Sequence, residues 1–217
     1  MVQTDIKDKT PKQKGPGRPK DESKSKAIMD AAGKLFMSKG MAHVTMDDIA
    51  AEAGVSKLTI YNHMGTKEEL FETMLRNKCE SHMNEALFEG LSCQDVRADL
   101  EKIGHGFIDI IYSPEALAMH RTVMSEARNG KEIPALFYNT APQRVFDYLE
   151  KYLVRLEKNS MLKFPDKRRA ADIFFSLFQG DTHMKVALGL EGAPNKKTFN
   201  RFVKDNVSHF LKLYISV

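Results

Sequence analysis

The sequence has little of what several classes of protein require. Two cysteines, Cys79 and Cys93, are too few for a disulfide framework in a chain of 217 residues. No run approaches the roughly 18 apolar residues of a membrane-spanning helix. The first residues also lack the apolar core of a signal peptide. We therefore expect a cytoplasmic protein with no membrane partner and no stabilising disulfides.

The sequence also lacks the patterns typical of enzymes and metal sites. No Ser-His-Asp arrangement or nucleophile elbow is present. The seven histidines show no paired ligand spacing on one helix face. Gly104-His105-Gly106 lacks the third glycine and the preceding strand of a nucleotide-binding loop. The sequence predicts no enzymatic activity, no cofactor and no metal site.

Positive charge is concentrated at the N-terminus. Residues 1–26 hold eight lysines and arginines against four acidic residues, and this excess equals the net charge of +4 of the whole chain. Prolines and glycines between positions 11 and 19 exclude a helix there, so we expect residues 1–22 to form a disordered basic arm. The arm either contacts DNA phosphates or only solubilises the protein. Its segment 15–20 is similar to Gly-Arg-Pro elements that bind AT-rich minor grooves, with Arg18 as the contact residue.

From Ser23 onward the apolar residues recur at helical spacing, and no stretch shows sustained alternation of the strand type. We predict an all-α fold of about nine helices, with three small helices followed by a larger bundle. A first helix ends near Gly40, two short helices reach about residues 53 and 63, and longer helices follow. These cover residues 67–90, 95–112, 114–129, 134–157, 166–189 and 196–216. The predicted units are an N-terminal one at 23–66 and a C-terminal one at 67–217.

Residues 45–64 carry the clearest functional pattern. Two helices of roughly eight residues meet at Gly54 and are too short to be stable alone, so they must share a core with the first helix. Apolar positions such as Ile49 and Ile60 supply that core. Hydroxyl, amide, basic and aromatic side chains are left on or beside the second helix, and they suit phosphates and base edges. The pattern predicts a helix-turn-helix, and the alternative is a helical hairpin that only packs. The outward residues are Ser56, Lys57, Thr59, Tyr61, Asn62 and His63.

A longer pattern surrounds this motif and extends over residues 24–75. It consists of Ala31-Ala32, Leu35-Phe36, Gly40, Thr45, Ile49-Ala50, Ala53-Gly54-Val55-Ser56, Thr59-Ile60-Tyr61, His63 and Lys67-Glu68-Glu69-Leu70. With these residues in this order, the segment resembles the DNA-binding domain of the TetR-type transcriptional regulators. The sequence departs from that family at Met64, where phenylalanine is usual, and at Leu58, where glycine is frequent in a position facing DNA.

The resemblance implies roles for individual residues. Thr45 would cap the second helix and donate to a phosphate, and Lys67 would reach the DNA backbone from the fourth helix. The recognition helix would carry Ser56, Lys57, Thr59, Tyr61 and His63. Asn62 lies at a variable position of the family and is our candidate for reading a base.

The C-terminal half gives further hints. Residues 119–138 resemble an effector-binding domain of some efflux-associated members, although Asn129-Gly130-Lys131 departs from the usual pattern. The resemblance implies a small-molecule effector and a homodimer formed by the last two long helices. It therefore implies a helix-turn-helix DNA-binding domain at 23–66 and a ligand-binding and dimerisation domain at 67–217. Twelve methionines and thirteen phenylalanines suit an adaptable apolar interior. The predicted ligand contacts are Phe107, Ile111, Met119, Val123, Met124, Phe137, Phe174, Phe178 and His183.

Two functions follow from these features. The first is a repressor that binds double-stranded operator DNA with a palindromic sequence and is released by a small apolar or amphipathic ligand. The second is a constitutive or architectural DNA-binding protein without an effector. A bundle of about 140 residues beyond the DNA-binding domain favours the first, because DNA binding alone does not require it.

Overall fold

The computed structural model describes residues 22–159 and 162–214, and it confirms the all-helical fold. Twelve helices lie in these two ranges. In chain order they are α1 (Glu22–Lys39), α2 (Met46–Ala53), α3 (Lys57–Met64), α4 (Lys67–Glu80), α5 (Glu85–Glu89), α6 (Val96–Ile111), α7 (Pro114–Glu126), α8 (Glu132–Thr140), α9 (Pro142–Asn159), α10 (Lys167–Gln179), α11 (Asp181–Ala187) and α12 (Lys196–Tyr214).

The count exceeds the predicted nine because three predicted long helices are each divided. The helix expected over 67–90 ends at Glu80, and a separate helix, α5, begins after Asn84. The Asn84 side chain caps α5 by accepting from the Leu87 N–H. The helix expected over 134–157 is divided before Pro142, which has no N–H to continue a helical ladder. The helix expected over 166–189 is divided at Gly180. Apolar spacing continues through each break and so does not reveal it.

The first hydrophobic core joins α1 to α4. Ile28, Ile49 and Ile60 are fully buried, and the rings of Phe36 and Phe71 meet edge to face with their centroids 5.7 Å apart. We call α1–α4, residues 22–80, the reading head. Met119, Val123 and Phe137, from α7 and α8, also pack into this core. The predicted boundary between residues 66 and 67 remains a prediction, since the core of the reading head extends into later helices.

The second core joins α6, α9, α10 and α12 and is rich in phenylalanine. Phe174 contacts Phe178 and Phe210 with edge-to-face rings whose centroids are 5.2 and 5.1 Å away. A Cβ on Gly104 would lie 2.9 Å from the Phe178 ring and 3.1 Å from Val203. Gly104 therefore permits close packing of α6 against α10 and α12.

Both cysteines are buried, as expected for structural residues. Burial raises the pKa of the Cys79 thiol to about 11, so this thiol stays protonated at neutral pH. Among the helices of residues 22–159 and 162–214, none combines the length and the apolar character that crossing a membrane would take.

Candidate DNA-binding interface

Helix α2 begins at a capping box, as predicted from Thr45. The Thr45 Oγ1 accepts from the Asp48 N–H at 3.1 Å, and the Thr45 N–H donates to Asp48 Oδ2 at 2.9 Å. Hydrogen bonds from the side chain and backbone of Thr45 lower the pKa of Asp48. Thr45 is exposed, but its hydroxyl donates to Asp48 Oδ2 at 2.6 Å. Its predicted phosphate contact remains a prediction.

Helix α3 is oriented by the turn at Gly54 and the cap at Ser56. Gly54 has φ +66°, a left-handed conformation that glycine adopts without strain. Ser56 Oγ accepts from the Thr59 N–H at 3.1 Å and starts α3. Lys57 Nζ lies 2.8 Å from Asp47 Oδ2, and this hydrogen bond raises the pKa of Lys57. These contacts define the angle between α2 and α3.

One face of α3 packs inward and the other is exposed. Ile60 is fully buried in the first core, whereas Lys57, Leu58, Tyr61 and Asn62 are exposed. The exposed side therefore carries most of the predicted recognition residues together. Their contacts with DNA remain predictions.

Two other predicted DNA contacts are engaged with the protein itself. His63 is half-buried, and its Nδ1 lies 3.2 Å from Ser25 Oγ near the start of α1. Lys67 Nζ donates to the carbonyl oxygens of Met41 and Val44 at 2.9 and 3.0 Å, which ties α4 to the turn before α2. Arg18 lies outside the described residues.

The predicted ligand contacts fall into four environments. Phe107, Phe174 and Phe178 lie in the second core, and Met119 and Val123 lie in the first. Ile111 packs against the second core and Phe137 against the first, whereas His183 is partly buried in α11. Met124 is 65% exposed. The structure thus does not bring the nine residues into one group. Apolar spacing along a helix predicts which side is buried, but it does not predict which other helices pack against that side.

Sequence reasoning missed Glu126, which links α7 to the reading head. The carboxylate is 5% exposed and accepts from the Ala42 N–H and from Asn129 Nδ2, each at 2.9 Å. The bond from Ala42 is the main cause that lowers the pKa of Glu126. A cleft of about 170 Å³ lies beside it and is also lined by Lys67. Ala42 is 84 positions away in the chain, so no local signal reveals this contact.

Comparison with known proteins gives the same family for both halves of the chain. The family described as AefR-like transcriptional repressor, C-terminal domain, matches residues 98–216, more than half of the chain. The family described as bacterial regulatory proteins, tetR family, matches residues 28–74, which span most of the reading head.

Individual relatives agree with this assignment. Over 108 residues the chain is 31% identical to the HTH-type transcriptional regulator BetI of Agrobacterium fabrum, and the match covers 49% of this chain and about half (52%) of BetI. A TetR-family regulator from Mesorhizobium loti has a similar fold, with a TM-score of 0.75 and 22% identity over 90% of this chain and 98% of that one. The flavonoid-responsive regulator FrrA has a TM-score of 0.70 and 27% identity over the same two shares. The described helices, the helix-turn-helix in α2 and α3 and the two family matches lead to one conclusion: this chain belongs to the TetR family of bacterial transcriptional regulators.

Proposed function

We propose that this protein is a repressor that binds a palindromic operator as a homodimer and is released by a small, flat, amphipathic ligand. The observation that carries the proposal is the position of α7 between the two cores. Leu117 of α7 packs into the second core, whereas Met119 and Val123 pack into the first. A shift of α7 would therefore also move side chains in the core of the reading head.

Polar contacts in the middle and at the C-terminal end of α7 support this coupling. Arg121 Nε donates to the Ala187 carbonyl at 2.7 Å, at the end of α11. Glu126 accepts from the Ala42 N–H in the turn that precedes α2. A ligand that moves α11 relative to α7 would thus change the orientation of the reading head. Loss of operator affinity would follow without any contact between ligand and DNA.

A row of rings beside α7 supports a flat aromatic ligand. The His120 ring lies 6.3 Å from Phe137 and 6.4 Å from His183 between centroids, with interplanar angles of 11° and 25°. The ring of Tyr112 meets His183 edge to face at 5.2 Å. Burial is the main cause that lowers the pKa of His183, so this ring is neutral at neutral pH. A row of aromatic rings suits a ligand of the flavonoid type, the class to which the related regulator FrrA responds.

The dimer is proposed to form through α10 and α12. Phe202 is partly buried against Phe178 of its own protomer, with ring centroids 6.0 Å apart. Leu213 is eleven residues further, about three helical turns, so it lies on the same side of α12 and is 62% exposed. The apolar side of α12 thus extends beyond the protomer's own core. A two-fold axis here would present two α3 helices to a palindrome.

The proposal is tested with an operator obtained by binding-site selection on the full chain. Fluorescence anisotropy of labelled operator is followed while quercetin, a flat flavonoid, is added. We expect the wild-type protein to be released. His120→Ala, which changes an exposed side chain, is expected to bind the operator normally but to need at least tenfold more quercetin.

His82→Ala is the matched control, because His82 lies in the turn after α4 and not in the row of rings. Native mass spectrometry of freshly purified protein adds an independent readout, a co-purified small molecule. Two negative results together would contradict the repressor: operator binding that does not change at any quercetin concentration, and the absence of a co-purified molecule. They would favour a constitutive DNA-binding protein.

A further inference from the structure

Leu58 is an exposed leucine on the recognition helix. It is the second residue of α3, and 68% of its surface is accessible. Ile60, two positions later, is fully buried and anchors the opposite side of the helix. Helical spacing places Leu58 on the same side as Tyr61 and Asn62, three and four residues on. This side is the one that α3 presents outward.

Folding of the protomer does not account for Leu58. The residue lies in neither of the two cores of the described chain. Its neighbours Lys57 and Asn62 are exposed polar side chains, so the surrounding surface suits DNA better than an apolar protein partner. The apolar side chain of Leu58 is therefore available to contact an apolar group on the DNA.

The major groove offers one apolar group on a base edge, the 5-methyl group of thymine. Residues near the N-terminus of a recognition helix are those that contact base edges, and Leu58 is in the first turn of α3. We propose that Leu58 determines specificity by contacting the 5-methyl group of a thymine in each operator half-site. The proposal rests on α3 as the helix that reads the operator, and it does not depend on ligand release.

Deoxyuridine tests the contact because it lacks only the methyl group of thymine and keeps the Watson–Crick edge. Each thymine of one selected half-site is replaced in turn, and the Kd of the full-length protein is measured by fluorescence anisotropy. We expect one position at which deoxyuridine weakens wild-type binding about fourfold. This factor corresponds to about 0.8 kcal/mol, the free energy of burying one group of the size of CH2. Leu58→Ala is expected to bind the thymine operator more weakly and to show no further loss with deoxyuridine at that position.

Leu58→Met and Asn62→Ala are the matched variants. Methionine keeps an apolar side chain of similar volume, so its sensitivity to deoxyuridine should remain. Asn62→Ala should also retain it, because the lost amide is not the methyl contact. Circular dichroism checks that each variant is folded.

Two results would overturn the proposal. One is a wild-type protein whose affinity no single deoxyuridine reduces, and the other is a Leu58→Ala protein that keeps the wild-type sensitivity. Selection that returns no consensus sequence at all would instead contradict operator recognition as such. The failure of the Leu58 contact and that of the proposed function are therefore distinguishable.

Discussion

At the scale of single residues, α3 combines an anchoring side and a reading side within eight residues. Ile60 is fully buried, and two positions on, Asn62 is exposed. An amide side chain can bond both N6 and N7 of adenine in the major groove. Such a pair gives discrimination between bases, whereas contacts to phosphate do not.

Asn62→Ala should therefore change base preference rather than overall affinity. We expect a loss of about 1–3 kcal/mol at one or two base pairs and little change elsewhere. Binding-site selection with both proteins measures this, with Asn200→Ala as a control because Asn200 is an exposed asparagine of α12. An unchanged consensus for Asn62→Ala would show that Asn62 reads no base.

Lys67 combines a structural contact with a predicted DNA contact. Its ammonium group donates to the Met41 and Val44 carbonyls, so Lys67→Met should lower the free energy of unfolding by about 1–3 kcal/mol. Loss of a phosphate contact should also reduce the salt slope of DNA binding by about one. Lys78 lies on the same helix α4 and makes an exposed ion pair with Glu115 of α7, so Lys78→Met should cost less than about 1 kcal/mol. Urea denaturation and salt titrations check both effects, and equal stability of the two variants would contradict the structural role.

At the scale of elements, Glu126 is one of the contacts that link α7 to the reading head. The pKa of this carboxyl is lowered in the folded protein from its ordinary value of 4.5, chiefly by the hydrogen bond from Ala42. A lowered pKa means that the ionised form stabilises the fold. This contribution is complete above pH 4.5 and is lost as the pH falls through the lower, folded-state pKa.

Glu126→Gln tests this link with a side chain of nearly the same shape. The amide can still accept from the Ala42 N–H but loses the charge and one acceptor, so we expect about 1–2 kcal/mol less stability at pH 7. The difference from wild type should narrow below pH 4.5. Glu132→Gln is the control, since Glu132 is exposed and lines the same cleft. Urea denaturation at pH 7 and below pH 4.5 measures the difference in the free energy of unfolding between Glu126→Gln and wild type. An equal difference at both pH values would show that the charge of Glu126 is not its cause.

At the scale of the whole molecule, operator recognition requires two reading heads at a fixed separation. Recognition helices reach successive major grooves of one DNA face when they are about 34–36 Å apart. The proposed interface through α10 and α12 would set this distance. Leu213 is 62% exposed and is accessible to a second protomer, whereas Phe202 also packs against Phe178 of its own protomer.

Leu213→Glu should therefore separate the protomers without unfolding them. We expect sedimentation as a monomer, a helical circular dichroism spectrum like that of wild type, and at least a hundredfold loss of operator affinity. Met124→Glu places the same charge on an exposed methionine of α7 and should leave the dimer intact. A folded Leu213→Glu monomer that binds the operator normally would disprove recognition by a dimer.

The sequence by itself determined the local features of this protein. The cap at Thr45, the left-handed turn at Gly54 and the cap at Ser56 were predictable because each depends on groups within a few residues. The exposed side of α3 was also predictable, from the spacing of its apolar and polar residues. These features carried the family resemblance as well, and for this reason the helix-turn-helix was recognisable before any tertiary contact was known.

Only the tertiary structure decided which apolar side chains stay exposed and which distant residues meet. Met124 is exposed although it lies among apolar neighbours in the sequence. The bond between Glu126 and Ala42 joins residues 84 positions apart. Periodicity shows that one side of a helix is covered, but the choice of partner depends on how all the helices fill space together. The link from α7 to the reading head therefore belongs to the packing of the whole chain.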